Sequence, residues 1–398
     1  MTDVAQVGMK FATEVPRMDR RPIPATHYTD PERFEQEREK IFKRAWLRLC
    51  RGDELPQPGN FRTIEVPTWG ASVVVTRGND RRIHAFLNIC QHRGMSISTC
   101  ERGRAEAFMC GFHGWVYDLD GSLRTVPGEQ YFEPLDHAKL RAPALAVEEW
   151  CGFVFVNWQP EPQQSLREYL GEMGAFIEQH PFDLYERTGS YRVRVKANWK
   201  IVAEAFLEGY HVGTVHRRSI PDSMNSPENP LGLPNSCRVY GDHRTMAVWA
   251  NPEHQPTATE ALMWKHAFAL QPGQIEAMPG ANPDRVPTWW FDTNMFFPYF
   301  TVFIGMGWYL TYDLWPVSVD EAIWETHTYG MRAQTASQRL GADYMKVMLR
   351  DALMEDFSTC EHVQRNLQTG RLPYITLSED MEYFVRHLHW TVDQWLAR

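Results

Sequence analysis

The sequence predicts an α+β protein of two domains, a small antiparallel β domain followed by a larger one in which helices pack on a sheet. Three observations carry this reading. Short strand-like runs, broken by Gly, Pro and Asn-Asp, follow one another between residues 45 and 160. A change of composition at Pro160–Pro162 separates them from a second half in which helical and strand patterns mix. The chain has 398 residues, 43% of them hydrophobic, which is enough for two buried cores.

Residues 1–25 carry little pattern and read as an arm over the surface. Thr29-Asp30-Pro31-Glu32 reads as a helix start, because Pro is tolerated in a first turn. That helix should run to about Lys43, with Phe34, Ile41 and Phe42 on its apolar face. FRTIEVP, ASVVVTRG and IHAFLNIC read as strands, followed by WVYDLDGSL with a turn at Asp120-Gly121, and by CGFVFVNWQP. Beyond the boundary, SLREYLGEMGAFIEQH reads as a helix and TGSYRVRVKANWK as a strand. Further strands are expected at 237–250 and 288–331, and closing helices at about 338–369 and 379–397. The expected division is 1–44, an arm and helix packing on the second domain, then 45–160 and 161–398.

The uncharged stretch 294–312 has the length of a membrane span, but Pro298 and a Gly-Met-Gly interrupt it. Phe, Thr, Val, Tyr and Ile dominate it, so it reads as a pair of buried strands turning near Gly305–Gly307. A net charge of -9 argues against a nucleic-acid partner. Fifteen Trp and 21 Phe suggest an aromatic core or pocket. Seven cysteines, an odd number without framework spacing, fit a reducing cytoplasm and metal-ligand thiols. MTDVAQVGMKFATEV lacks the basic and apolar regions of a signal peptide, so a cytoplasmic protein without membrane association is expected. No glycine-rich strand–turn–helix fingerprint appears, so the chain itself is not expected to bind NADH or flavin.

The chemistry begins at Asn88–Trp115. Cys90 and His92 form a Cys-x-His pair, and Cys110 and His113 a Cys-x-x-His pair. Two thiolates and two imidazoles on two loops suit a Rieske-type [2Fe–2S] centre, in which two His replace two Cys on one iron. Gly94, Gly111 and Gly114 allow tight turns around it. Structural zinc is the rival, although zinc fingers pair Cys with Cys and His with His, whereas each loop here carries one of each. NICQHRG and CGFHGWVYDLDGSL resemble the two cluster-binding boxes of the Rieske oxygenases, the large subunits of ring-hydroxylating oxygenases. The chain departs from their commonest pattern at Gln91 and Gly111, neither of which supplies a ligand.

A second candidate site lies at Asn198–His216, which contains Glu204, Glu208, His211 and His216. On a helix, Glu204 and Glu208 would share a face, as would Glu208 and His211. His211 and His216 are about 140° out of alignment on an ideal helix, so both reach one metal only if the helix breaks, and Gly213 is available for that. Two His and a carboxylate make the facial triad of non-haem Fe(II) oxygenases.

The resemblance extends here. The family's acidic-x-x-His-x4-His box is matched by Glu208, His211 and His216, which makes the two His iron ligands. Glu208 would be the bridge between an iron-ligand His and a cluster His of a neighbouring subunit; most members have Asp there, while carnitine monooxygenase-like enzymes have Glu. Ala205 stands where Asn is frequent. LMEDFSTCEHVQRNLQTG looks like the family's third-ligand segment, which makes Asp356 the carboxylate ligand, with Glu355 the nearest competitor and Asp351 and Glu361 behind it. Asp356 would interrupt an apolar helix stripe between Met354 and Phe357.

The resemblance implies a small Rieske domain and a helix-grip (START-like) catalytic domain. It implies a terminal oxygenase that activates O2 at a mononuclear Fe(II), fed through the cluster by a reductase that uses NAD(P)H, with or without a ferredoxin. It implies a homotrimer, with or without a small beta subunit. An aromatic substrate, hydroxylated or dihydroxylated, is the first expectation. A quaternary ammonium or N-/O-methyl compound, cleaved at C–N or C–O, is the second. The expected pocket walls are Phe206, Leu207, Val212 and the strands 296–310, and His216-Arg217-Arg218 is a candidate carboxylate contact. A cluster-only electron carrier and a zinc-stapled binding module are the rivals, and neither accounts for both motifs.

Overall fold

The protein is described here from a computed structural model, which covers residues 9–220, 222–267 and 278–398. Residues 1–8 of the expected arm lie outside these described residues. The chain forms two compact units, one of residues 38–169 and one of the residues up to Glu37 together with those from Leu170 onward.

The smaller unit is built of short antiparallel strands: β1 (Leu47–Arg51), β2 (Asn60–Val66), β3 (Ala71–Arg77), β4 (Ile83–Leu87), β5 (Arg102–Arg104), β6 (Phe108–Met109), β7 (Val116–Tyr117), β8 (Leu123–Thr125), β9 (Ala146–Trp150) and β10 (Phe153–Asn157). They make sheets of order β4-β3-β2-β5, β6-β7-β8 and β9-β10-β1. β3 is an inner strand of the four-stranded sheet, and Val73, Val74 and Val75 are all fully buried, as a β-branched run covered on both faces should be. The expected turn at Asp120-Gly121 is present, with Gly121 at φ 81°. A Cβ there would come within 2.9 Å of the Phe86 ring, so only glycine fits. The seams fall at 37/38 and 169/170, whereas the change of periodicity at Trp46 and of composition at Pro160–Pro162 placed them at 44/45 and 160/161. Residues just beyond Pro162 stay tied to the small unit: the Trp46 indole donates to Gln164 O (3.0 Å), and Leu166 N donates to Glu148 (3.1 Å).

In the larger unit Ile23–Pro24 pairs with Tyr374–Ile375, a one-turn helix spans Thr26–Thr29, and α1 (Pro31–Glu37) then leads into a π-helical turn at Arg38–Phe42. The chain returns through α2 (Leu166–Ile177), which is kinked at Gly171. Then follow β11 (Tyr185–Val195), α3 (Trp199–Glu204), α4 (Val212–Val215), β12 (Ser236–Tyr240), β13 (His243–Trp249), α5 (Ala258–Ala267), β14 (Trp289–Phe296), β15 (Phe300–Gly305), β16 (Trp308–Ser318), β17 (Glu321–Met331), α6 (Ala336–Leu367) and α7 (Tyr383–Ala397). The seven strands form one antiparallel sheet of order β11-β17-β16-β15-β14-β13-β12, with helices packed against it, the α+β arrangement expected. The stretch 294–312 contributes three strands, not a pair. The end of β14 turns at Phe297–Tyr299 into β15, and Gly307 (φ 70°) turns β15 into β16. Among the described residues no helix is long and apolar enough to cross a membrane.

α6 is capped by Thr335, whose hydroxyl accepts from Gln338 N while the Gln338 side chain accepts from Thr335 N, both at 3.2 Å. Its 32 residues span about 48 Å at 1.5 Å per residue. Its buried residues include Leu353, Asp356, Phe357 and Cys360, whereas Met354 is 52% exposed. The apolar neighbour that Asp356 follows is therefore Leu353, because residues three apart share a helix face and residues two apart do not. A buried ion pair fastens α1 to α3: Lys200 Nζ lies 2.7 Å from Glu37, and Glu37 also accepts from the Trp199 indole (2.8 Å).

Candidate metal centres

In the smaller unit the loop after β4 carries Cys90 and His92, and the turn between β6 and β7 carries Cys110 and His113. Each turn is closed in the same way: Gly94 N donates to Cys90 O (2.9 Å) and Gly114 N to Cys110 O (3.0 Å). Both glycines have positive φ, as that chain reversal requires. The thiols are buried among Phe61, Phe86, Phe108, Trp115 and Tyr117. The imidazoles lie side by side with ring centroids 4.4 Å apart, and His113 is exposed.

The Tyr117 hydroxyl donates to Cys90 Sγ (3.4 Å) and accepts from Gln91 N (2.9 Å). Burial raises the Cys110 thiol pKa, while the backbone N–H groups of Phe112 and His113 point at its sulfur and oppose the rise. His92 Nδ1 is buried and has no hydrogen-bond partner, although its ring is fixed by stacking on Trp115 (5.0 Å, 6°). An orphaned imidazole nitrogen beside buried thiols fits a ligand set. Among the described residues, however, these four do not bring three ligand atoms within 4.8 Å of one another. Two cysteines in side-chain contact and two histidines lying side by side suit a cluster in which two Cys hold one iron and two His the other.

The larger unit does contain such a convergence. His211, His216 and Asp356 offer ligand atoms that all lie within 4.8 Å of one another. His211 Nε2 and His216 Nε2 are 3.3 Å apart, and Asp356 Oδ1 lies 3.1 Å from His216 Nε2 and 3.5 Å from His211 Nε2. The other ring nitrogens are engaged from behind: His211 Nδ1 by Glu208 Oε1 (2.6 Å), and His216 Nδ1 by Glu355 Oε2 (3.0 Å). Ser219 Oγ donates to the same Glu355 oxygen (2.7 Å). Both Nδ1 atoms therefore carry the proton, and two Nε2 lone pairs face a carboxylate. Three acceptors converging in a buried place repel one another unless a cation lies between them. The electrostatics agree. Burial lowers the pKa of both imidazoles, yet Glu208 and then Asp356 outweigh it at His211, and Asp356 and then Glu355 at His216, so both are raised and the place favours positive charge.

The break that aligns the two histidines is not at Gly213. α3 ends at Glu204 and α4 begins at Val212, so residues 205–211 form an irregular turn, and Gly213 lies inside α4. Glu204 and Glu208 consequently share no helix face. Two contacts hold the turn open. Glu208 Oε2 accepts from His211 N (3.0 Å), and Gly209 packs so tightly that a Cβ would lie 2.3 Å from Gly232 O. Glu204 turns away to the Tyr28 hydroxyl (3.0 Å) and His389 Nε2 (2.8 Å), and burial pushes its carboxyl up to about 8.

Among the carboxylates near the expected third ligand, Asp356 faces the imidazoles and Glu355 stands behind His216. Asp351 pairs with Arg350 (2.7 Å), and Glu361 accepts from Lys196 N (3.0 Å). Sequence reasoning did not assign Glu355 and Ser219 their orienting task. The adjacency of Glu355 to Asp356 was the one available signal.

A cavity of about 500 Å³ opens beside the His/Asp cluster. Phe206 and Val212 line it, as expected, together with Phe303, Met306, Trp308 and Leu310. Leu207 does not line it and is buried in the core at 1% exposure. Arg217 and Arg218 are exposed and stand outside its lining, with Arg217 donating to Gly213 O (3.2 Å). One wall was not foreseen: Gln338, Ala342, Met345, Leu349 and Ala352 of α6, a stripe at alternating spacings of four and three that continues to Asp356.

The family model described as ring hydroxylating alpha subunit (catalytic domain) matches residues 182–398, and the Rieske [2Fe-2S] domain model matches residues 45–138. The large oxygenase component of the naphthalene 1,2-dioxygenase system of Pseudomonas aeruginosa is 37% identical over 202 residues, covering 48% of this chain and 43% of that protein. The carnitine monooxygenase oxygenase subunit of Escherichia coli (strain K12) is 33% identical over 199 residues, 49% of this chain and 52% of that one. The chain thus spans about half the length of the curated relatives it matches. Among solved structures, naphthalene 1,2-dioxygenase from Rhodococcus sp. bound to indole superposes with a TM-score of 0.77 at 19% identity, covering 94% of each chain. The quaternary ammonium Rieske monooxygenase CntA gives 0.75 at 22% identity, covering 94% of this chain and 95% of that one, a likeness of fold.

Proposed function

We propose a function that proceeds from one premise: the chain belongs to the ring hydroxylating alpha subunit family. It acts as the terminal oxygenase of a multi-component system. The unit of residues 38–169 holds a Rieske cluster through Cys90, Cys110, His92 and His113. The remaining unit, to which the segment before α1 belongs, holds a mononuclear Fe(II) through His211, His216 and Asp356. The observation that carries this reading is the convergence of those three side chains, with both imidazoles held from behind by carboxylates.

When bound, the cluster supplies single electrons and the ferrous ion supplies open positions for O2. The chain's own residues do the rest. Cys90 and Cys110 are kept as buried sulfur donors, with Tyr117 and backbone N–H groups directed at them. Exposed His113, beside Phe112 at 52% exposure, offers an edge to a neighbouring molecule. Glu208 fixes the His211 tautomer, and its proposed second task is to meet a cluster histidine of a neighbouring subunit in a homotrimer. The cavity excludes water and holds an apolar substrate beside the Nε2 atoms. Electrons come from a separate reductase, with or without a ferredoxin, in the cytoplasm.

An aromatic substrate, hydroxylated or dihydroxylated, is favoured by the aromatic lining of the cavity. Oxidative cleavage of a quaternary ammonium is the second reading, favoured by Glu at position 208. The deciding experiment measures iron and acid-labile sulfide together with EPR of the dithionite-reduced protein. About three irons and two sulfides per chain with a Rieske-type signal are expected. Two irons alone would leave an electron carrier, and zinc without sulfide would overturn the reading.

A further inference from the structure

The cavity is long. Its α6 wall runs from Gln338 to Ala352 along one helix face, and the next residue of that stripe is Asp356. From Ala342 to Asp356 the helix rises about 21 Å at 1.5 Å per residue. A round cavity of 500 Å³ would be only about 10 Å across, so this volume is drawn out into a slot.

The slot is also graded in polarity. At the Asp356 end it is lined by Glu208, His211 and His216. At the other end exposed Leu184, Met331, Arg332 and Gln334 form a mouth, with Gln338 beside them. The remaining charged side chain in its lining is Lys346, about 15 Å of helix from Asp356. Between the ends the sheet contributes Met246, Phe291, Phe303 and Leu310.

One polar atom stands out in that middle section. Thr293 is 3% exposed and lines the slot, and its hydroxyl has no hydrogen-bond partner. Thr293 pairs with Phe303, which pairs with Leu310 of β16, so Thr293 sits about 10 Å across the sheet from Leu310, in the middle of the slot. A buried hydroxyl without a partner is costly, and a ligand atom can complete it.

We propose that the substrate is an elongated, mostly apolar molecule with a polar group at one end. Its apolar end lies at His211 and His216, its polar end stays among Gln334, Gln338 and Lys346, and Thr293 selects for one hydrogen-bond acceptor midway. This inference rests on the oxygenase reading and narrows its substrate class. A short zwitterion such as carnitine fits poorly, because its carboxylate would end in the apolar middle of the slot, away from both cations.

The test is calorimetric binding to the metal-loaded protein, with iron and sulfide measured on the same sample. The probes are 4-alkylphenols from methyl to octyl. Affinity is expected to rise about fourfold per methylene through hexyl, the factor for a fully buried CH2. Ala342→Phe, next to the polar end, should cut the series shortest, and Leu349→Phe, nearer to Asp356, should stop it only at longer chains. Thr293→Val should weaken 4-hydroxybenzophenone about tenfold, one hydrogen bond, and leave 4-benzylphenol unchanged.

A rise that stops by propyl, insensitivity to both α6 variants, or tighter binding of carnitine than of 4-hexylphenol would overturn the proposed shape. If iron and sulfide are present in that case, the oxygenase reading survives. If they are missing while the alkylphenol series behaves as expected, the oxygenase reading fails and the slot stands.

Discussion

Asp356 and Glu355 are adjacent carboxylates to which the geometry gives different tasks, and replacing each by alanine separates them. Asp356 faces both Nε2 atoms and is 5% exposed. Asp356→Ala removes one of three converging donors and leaves two imidazoles, so Fe(II) is expected to be lost during desalting. Glu355 reaches only His216 Nδ1 and Ser219. Removing an orienting carboxylate behind a metal-binding His costs about 10- to 100-fold in affinity, or about 1.4 to 2.7 kcal/mol. Glu355 is 22% exposed, so water can take over part of its role, and the lower end, about tenfold, is expected. The assay is competition for Fe(II) with a chelator of known affinity. Sulfide content serves as an internal control, because the proposed cluster ligands, Cys90, His92, Cys110 and His113, belong to the other unit. If Glu355→Ala strips the iron while Asp356→Ala retains it, the ligand assignment is inverted. If both variants hold iron as the parent does, His211, His216 and Asp356 are not its site.

Three further outcomes follow from the same structure. Glu208→Gln is expected to retain iron and cluster, with an unaltered EPR spectrum, while turnover falls by orders of magnitude; normal turnover would remove the bridging role. Lys200→Met should destabilise the larger unit by about 3 kcal/mol in denaturant titrations, because it leaves the fully buried Glu37 facing Arg33 at 3.4 Å in place of an ammonium at 2.7 Å, and adding Glu37→Leu should restore most of the loss. Glu204→Gln should change the pH dependence of stability. Burial pushes Glu204 up to about 8 from 4.5, so between those values the unfolded chain has released a proton that the folded protein keeps, and stability falls as pH rises. The variant should therefore gain on the parent most at pH 8.5 and least near pH 5. Differences between variant and parent taken above pH 6.5 isolate this effect, because Asp292, pushed up to about 7 by burial, contributes alike to both proteins, and buried His389, held neutral with a pKa of about 3, adds its own slope only below that. An equal gain at every pH would mean that Glu204 is ionised in the folded protein.

The sequence by itself determined the element types and the donor types. Strand runs such as ASVVVTRG and helix starts such as Asp30-Pro31 are local, since period, turn residues and caps act over a few positions, and they reappear as β3 and α1. The Cys-x-His and Cys-x-x-His pairs announce their chemistry because ligands on one tight loop are neighbours in sequence as well as in space. The third member of the His211/His216 cluster stands 140 positions beyond His216, and no local signal joins them. The resemblance pointed to the segment, but which of two adjacent carboxylates turns inward depends on how α6 is rotated against the sheet. The position of the chain break was misplaced for a similar reason. Gly213 offered flexibility, yet the turn forms at 205–211, where Gly209 must pass against Gly232, a contact visible only in three dimensions. Likewise the stripe from Gln338 to Ala352 has ordinary helical spacing, and only the tertiary packing decides that it walls a cavity and not the core. Local bonding preferences are written along the chain, whereas convergence of distant groups is a property of packing, and the candidate iron site and the slot beside it belong to the second kind.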